Sequence, residues 1–254
     1  MHPSFMHNPQ YLIEVPASTQ QAPSHLSCTL QTLDQGQPGA LPIAMHLIWA
    51  EGGRATTLSE GDIVSTSGPY DHSVALLEAE NLQPGKYTLV LSTFEAGLEG
   101  RYSLRVKSST RLAIAALPQE GAGMFNRTLR SRWQAPDRAA GSPSNGRYLS
   151  NPTFLLKLPA PGSFLARLQL DGSKALALKP QINLSCFSRS GQRDLGSQVA
   201  TSGAYTDGLS GAAIGPLRLE QGEYLLVAST FAPGVEAGFV LQVYAEAKFE
   251  LMTL

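Results

Sequence analysis

Charge is scarce in this 254-residue chain: Asp, Glu, Lys and Arg make up 15% of it, against about 25% in ordinary globular proteins. So thin a supply cannot dress coiled coils or long solvent-exposed helices. The net charge of −1 removes any global drive toward nucleic acid or anionic membrane. Cysteine is nearly absent. Cys28 and Cys186 stand far apart with no CxxC or zinc spacing, which excludes a small disulfide-stapled scaffold. The longest apolar stretch, Leu112 to Leu117, falls far short of the ~20 residues of a membrane-spanning helix. MHPSFMHNPQ has neither a basic start nor an apolar run, so nothing there reads as a secretion signal. A reduced, soluble, intracellular protein is expected. No histidine follows His72, and no GxSxG, HExxH, Gly-rich phosphate loop or EF-hand loop occurs, so the usual hydrolytic and nucleotide-binding signatures are missing.

What is present is a chain 43% hydrophobic, with 24 Gly and 17 Pro, a composition of short strands punctuated by turns. It also repeats itself. LQPGKYTLVLSTFEAGLEGRYSLRV from Leu82 matches LEQGEYLLVASTFAPGVEAGFVLQV from Leu219, pairing Tyr87 with Tyr224, Ser92-Thr93-Phe94 with Ser229-Thr230-Phe231, Gly97 with Gly234 and Val106 with Val243. NPQYLIEV from Asn8 matches NPTFLLKL from Asn151, and Ser67-Gly68-Pro-Tyr70 matches Ser202-Gly203-Ala-Tyr205. Offsets that drift slightly between blocks are those of a duplicated domain with loop insertions.

Each copy reads as strands. Tyr87, Leu89 and Leu91 alternate with Lys86, Thr88 and Val90, the period of a half-buried strand. Tyr102, Leu104 and Val106 alternate with Arg101, Ser103, Arg105 and Lys107, and Pro84-Gly85 supplies a turn. The expected fold is all-β: two tandem antiparallel β-sandwiches of about eight strands, the first over 1–109 and the second over 110–254. The copies are unequal. A run-up containing Trp133 precedes Asn151, whereas only a short segment precedes Asn8. The first copy is therefore expected to be truncated at its front and the chain to be cut from a longer protein.

WQAPDRAAGSPSNGRYLSNPTFLLKL resembles the opening of the calpain-type C2-like domain, calpain domain III, and the Pro-Gly, Ser-Thr-Phe and Tyr-x-Leu-x-Val block resembles that domain's closing signature. Two tandem copies without a penta-EF-hand are similar to the PalB-type calpain-like cysteine proteases of fungi and their MIT-bearing animal relative. That resemblance implies a non-catalytic region lying after a papain-like protease core. The whole protein would act in alkaline-pH signalling, be recruited to ESCRT-III assemblies and clip a PacC-type zinc-finger transcription factor. The implied location is cytoplasmic, with recruitment to endosomal or plasma-membrane ESCRT sites. The second copy departs mildly from the family, with Thr153 after Asn151-Pro152 and Ala140-Gly141 where Gly-Gly is usual.

The residues themselves offer little catalysis. Cys186 in INLSCFS and Cys28 in HLSCTL sit in strand-like surroundings, where a thiol is a small hydrophobe and not an activated nucleophile. The aspartates Asp34, Asp62, Asp71, Asp137, Asp171, Asp194 and Asp207 are isolated, so neither a clustered calcium site nor any other cofactor is expected. Charge is unevenly spread: the first copy is acidic, with Glu78, Glu80, Glu95 and Glu99, and the second is basic. Arg127, Arg130 and Arg132 approach the alternation of one strand face, and with Arg138 and Arg147 they form the candidate partner-binding set. Such a stripe either packs on the acidic copy or docks an acidic protein segment or anionic lipid. The candidate functions are protein docking and positioning of a protease core, or a calcium-independent membrane-targeting C2 pair with peripheral lipid contact. Finally, Phe94 and Phe231, retained in both copies, are expected to be buried.

Overall fold

Alternating patterns and turn residues become strands throughout. The structure, a computed structural model, describes residues 2–17, 24–33, 41–190 and 195–254. Asp34 and Asp194 lie outside the described residues. The chain divides into two units, Met1–Gln119 and Glu120–Leu254.

The first unit holds β1 (Gln10–Val15), β2 (Ser24–Thr32), β3 (Pro42–Ile48), β4 (Ile63–Thr66), β5 (Asp71–His72), β6 (Val74–Leu82), β7 (Gly85–Thr93), β8 (Tyr102–Ser108) and β9 (Ala113–Ala116). One sheet runs β4-β3-β7-β1-β9 with β5 beside β3, and the other runs β6-β2-β8. Every pairing is antiparallel. Ile13, Leu47, Leu89 and Leu91 from one sheet share a core with Leu26, Cys28, Leu30 and Leu77 from the other, the interdigitation that defines a sandwich.

The second unit contains β10 (Phe125–Trp133), β11 (Thr153–Leu158), β12 (Gly162–Asp171), α1 (Ser173–Leu178), β13 (Ile182–Arg189), β14 (Leu195–Thr201), β15 (Ala212–Leu219), β16 (Gly222–Thr230), β17 (Ala237–Ala245) and β18 (Glu250–Thr253). Its sheets run β14-β13-β16-β11-β18 and β10-β17-β12-β15. Eight strands recur in the same order, with β10 added beside β17 and with β5 reduced to an isolated bridge, Ile182↔Thr206. The sequence reading of two tandem antiparallel β-sandwiches describes the observed architecture, and α1 is the one α-helix among the described residues.

Recurring residues have recurring jobs. Tyr87 and Tyr224 each donate a hydroxyl hydrogen bond to the carbonyl four residues upstream, at Gln83 and Glu220, 2.8 and 2.9 Å away. Ser92 and Ser229 bond the hydroxyls of Tyr70 and Tyr205 at 3.0 and 2.9 Å. Thr93 and Thr230 donate to the carbonyls of Glu95 and Ala232. The Ser-Thr-Phe block is thus one hydroxyl that pins a tyrosine, one that closes the loop, and a ring that caps the pinned tyrosine.

Three expectations need correction. Phe94 and Phe231 are not buried: they are 67% and 57% exposed, each meeting its tyrosine edge-on at 5.4 and 5.5 Å between ring centres. They follow the last inward residues of β7 and β16, where the chain turns outward into a loop. β7 is not half-buried either. Val90 on its second face packs with Phe5, Ile48 and Ala55 in a separate small core, because the 3-10 turn Pro3–His7 covers that side. The boundary lies at 119/120 and not at 109/110, since β9 pairs with β1 and the carbonyls of Leu117 and Pro118 accept from the Arg54 guanidinium.

Candidate functional site

A nucleophile would need an ionisable thiol with a base beside it. Burial pushes both thiols up to about 12, with the Glu78 carboxylate adding to the effect at Cys28. At that value the thiolate is a trace species at neutral pH. His46 is pushed below its usual value by burial, while His25, close to Cys28 in sequence, is engaged by Glu78 at 2.8 Å. No cluster of three or more His, Cys, Asp or Glu side chains suited to a metal exists among the described residues. What the two units offer is surface.

The basic surface starts at β10, an edge strand held by β17 in unbroken register from Phe125↔Ala245 to Trp133↔Ala237. Strand geometry divides its arginines. Side chains alternate between faces, so Arg130 and Arg132 share the outward face, while Arg127, an odd number of residues away, falls on the face of Leu129, Ser131 and Trp133. The expectation of a single arginine face fails on that parity. Arg130 meets Asp171 of its own unit at 3.3 Å, and Arg132 is exposed. Arg127 opens onto a groove of about 870 Å³ with Leu129, Lys157, Glu223, Lys248 and Glu250. The charges there largely answer one another: Lys157 reaches Glu223 and Glu250 at 3.4 and 3.9 Å, and Arg189 reaches Glu223 at 2.6 Å. The Arg189 hydrogen bond holds the Glu223 carboxyl below its ordinary value.

Arg138 and Arg147 belong to the connection between β10 and β11. Arg138 closes a turn by its backbone bond to Gln134, and its Nη2 is sealed from solvent without a partner among the described residues. Arg147 is exposed ahead of the 3-10 turn Tyr148–Ser150. The structure therefore brings Arg130 and Arg132 onto one face and distributes the other three around it.

Two structural arginines escaped the sequence reading. Arg167 forms a bidentate pair with Glu120 through Nε and Nη2 and also donates to the Ser210 carbonyl at 2.6 Å. The Arg167 and Glu120 side chains are only 8% and 12% exposed. Arg54 donates to four backbone carbonyls, those of Met6, Asn8, Leu117 and Pro118. The one sequence signal for the first pair is that Glu120 is a rare acid within a basic stretch.

Twin antiparallel sandwiches with buried thiols and a basic edge define a class: an all-β tandem module. The family model for calpain large subunit, domain III, matches residues 1–107, within the first unit. The particular kind follows from whole-chain relatives. The calpain-like protease palB/RIM13 of Cryptococcus neoformans var. neoformans is 34% identical over 244 residues, covering 96% of this chain and 29% of that protein. The palB/cpr-8 protease of Neurospora crassa is 30% identical over 171 residues, 58% of this chain and 17% of that protein. The palB protease of Emericella nidulans is 34% identical over 116 residues, 46% of this chain and 13% of that protein. The chain spans less than a third of the length of these relatives, and it is a non-catalytic region of a calpain-like protease.

Proposed function

We propose that this tandem region docks partners and positions the protease core of a PalB-type calpain-like cysteine protease that acts in alkaline-pH signalling. The core lies upstream in the same polypeptide, the partners include ESCRT-III-type proteins, and the setting is the cytoplasm at endosomal or plasma-membrane ESCRT sites. The substrate is a transcription factor cut by limited proteolysis. The observation that carries this reading is the chain-long likeness to the palB/RIM13 protein. The outward arginines of β10 supply the docking chemistry: guanidiniums on an edge strand engage carboxylates bidentately.

The test is charge reversal of Arg130, Arg132 and Arg147 together in the full-length protein, with binding to a purified ESCRT-III subunit measured at two salt concentrations. Docking through this surface predicts weaker affinity and a shallower salt dependence. Unchanged binding removes the arginines from the docking reading. Association with anionic vesicles that is lost in the same variant, with protein binding intact, would assign the surface to calcium-independent phospholipid binding.

A further inference from the structure

The second sandwich is closed at one end of β10 and open at the other. Odd-numbered side chains of β10 point toward the opposite sheet. Trp133, at the closed end, is fully buried, 4.3 Å from the Phe239 ring centre, with its indole N–H donating to the Ala228 carbonyl at 2.9 Å. Burial then falls away along the same face: Ser131 and Leu129 are half-buried, and Arg127 and Phe125 are exposed. Phe125 stands on the core-facing side of its strand and is nevertheless 53% exposed. Where the sheets part lies the groove of about 870 Å³. Its floor is apolar, because Leu129 and Leu251 pack against the core from opposite sheets. Leu158 and Phe249, both buried, complete that floor.

Two strand edges, unpaired among the described residues, flank this groove. The pair Phe164↔Ala245 is followed by a bond from the Glu246 N–H to the Ser163 carbonyl, so even-numbered residues of β17 bond β12 and odd-numbered ones bond β10. In the register of β10, the N–H and C=O groups of Asn126, Thr128 and Arg130 therefore face away from the sheet. By the same parity the bond from the Leu254 N–H to the Thr153 carbonyl turns the backbones of Leu251 and Thr253 away from β11. β10 is the larger template, with nine residues against four. Charge in the groove is unequally satisfied. Both acids are answered, Glu223 by Arg189 and Lys157 and Glu250 by Lys157. Arg127 and Lys248 are exposed, and no ion pair among the described residues uses either. The first-unit counterparts of Lys157, Glu223 and Glu250 are Glu14, Lys86 and Ala113, so this charge pattern is no requirement of the sandwich.

We propose that the groove is a docking site for an extended acidic segment of a partner protein, which adds to β10 as an antiparallel strand. Strand addition satisfies the outward N–H and C=O of Thr128, and the groove beside it selects alternate side chains. The segment's residues opposite Leu129 and Arg127 point into the groove, two positions apart. The first is apolar and lies over Leu129 and Leu251. The second is a carboxylate, met by Arg127 and Lys248. Antiparallel pairing makes the segment read, from its N-terminal side, apolar-x-acid, with x opposite Thr128. A neutral or basic segment would leave both cations unanswered, so charge complementarity selects the acid. Arg130, Arg132 and Arg147 do not line the groove, so this site goes beyond the docking reading of those arginines, and each can fail without the other.

The probe is a fluorescein-labelled peptide with Leu-Thr-Glu at its centre and Ser and Thr on either side, titrated into this tandem chain. Docking predicts a saturable rise in anisotropy and shifts of the Asn126 and Thr128 amide resonances. Arg127→Glu with Lys248→Glu should weaken binding about tenfold or more, as should Gln in place of the peptide's Glu. Thr128→Pro separates strand pairing from side-chain contact, since it removes an outward N–H and costs the β10–β17 ladder no bond. It should abolish binding. Should that variant fail to fold, the peptide N-methylated at its central Thr removes the reciprocal bond and must bind as weakly. No saturable shift at millimolar peptide overturns the proposal. Full affinity of the double reversal, of the proline variant or of the methylated peptide overturns it equally. Anionic vesicles that bind through Arg127 and Lys248 while the peptide does not would assign the two cations to a membrane and overturn it as well.

Discussion

The two units share eight strands in the same order and differ in how one side is sealed. The second brings a tryptophan, carried at the end of a ninth strand, onto Phe239, whose ring Phe154 meets edge-on, and backs it with a glycine turn. The first has Tyr11 and Tyr102 at the places of Phe154 and Phe239, and their hydroxyls bond each other. Among the residues held constant are the hydroxyl-bearing pins, Tyr70–Ser92 and Tyr205–Ser229.

The sharpest way to break the comparison is Trp133→Ala. It removes a fully buried indole and its hydrogen bond, and it should cost the second unit about 3–5 kcal/mol, read as faster amide exchange in β17 with β8 unchanged. Loss confined to less than ~1 kcal/mol would mean that the tryptophan is not the seal. Next comes Arg167→Thr, which imports the first unit's choice, since Thr29 stands at the corresponding place. Glu120 is left nearly buried without its partner, for a loss of about 3 kcal/mol in chemical denaturation. Adding Glu120→Gln should recover part of it.

Tyr11→Phe removes half of the tyrosine pair and should cost the first unit about 1 kcal/mol. Tyr11→Phe with Tyr102→Phe should cost no more than the single change, because no hydroxyl is then left unpaired. Phe94→Ala and Phe231→Ala rank last, at about 0.5 kcal/mol each, since most of each ring is already in water. A melting shift of many degrees in either would restore the buried reading that the structure overturned.

Much of this was legible in the sequence. The repeat carried the duplicated sandwich, and the period of two carried β8 and its counterpart. Burial beyond a single strand was not legible. The second face of β7 is covered by Phe5, far from it in the chain, and strand alternation says nothing of what lies over the outer face. Retention of Phe94 and Phe231 pointed to importance but not to burial, because a ring that caps a pinned tyrosine is retained for its edge contact. The arginines were misplaced by counting charge without parity. The Arg167–Glu120 pair joins residues from distant segments, which only the folded register brings within reach.

The clasp made by Arg54 has a mechanical meaning. Chain enters the first unit at β1 and leaves it after β9, and these strands are paired side by side, with Leu117 N–H on the Gln10 carbonyl. A pull on the two ends would therefore peel the ladder open one rung at a time, the geometry that resists least. Arg54 sits across that seam, with carbonyls of the entering segment on one side of its guanidinium and of the leaving segment on the other. Tension transmitted along the polypeptide meets this fork of hydrogen bonds, and the bond from the Gln119 side chain to the His7 carbonyl beside it, before it reaches the first rung, so resistance to traction is concentrated outside the unit's core.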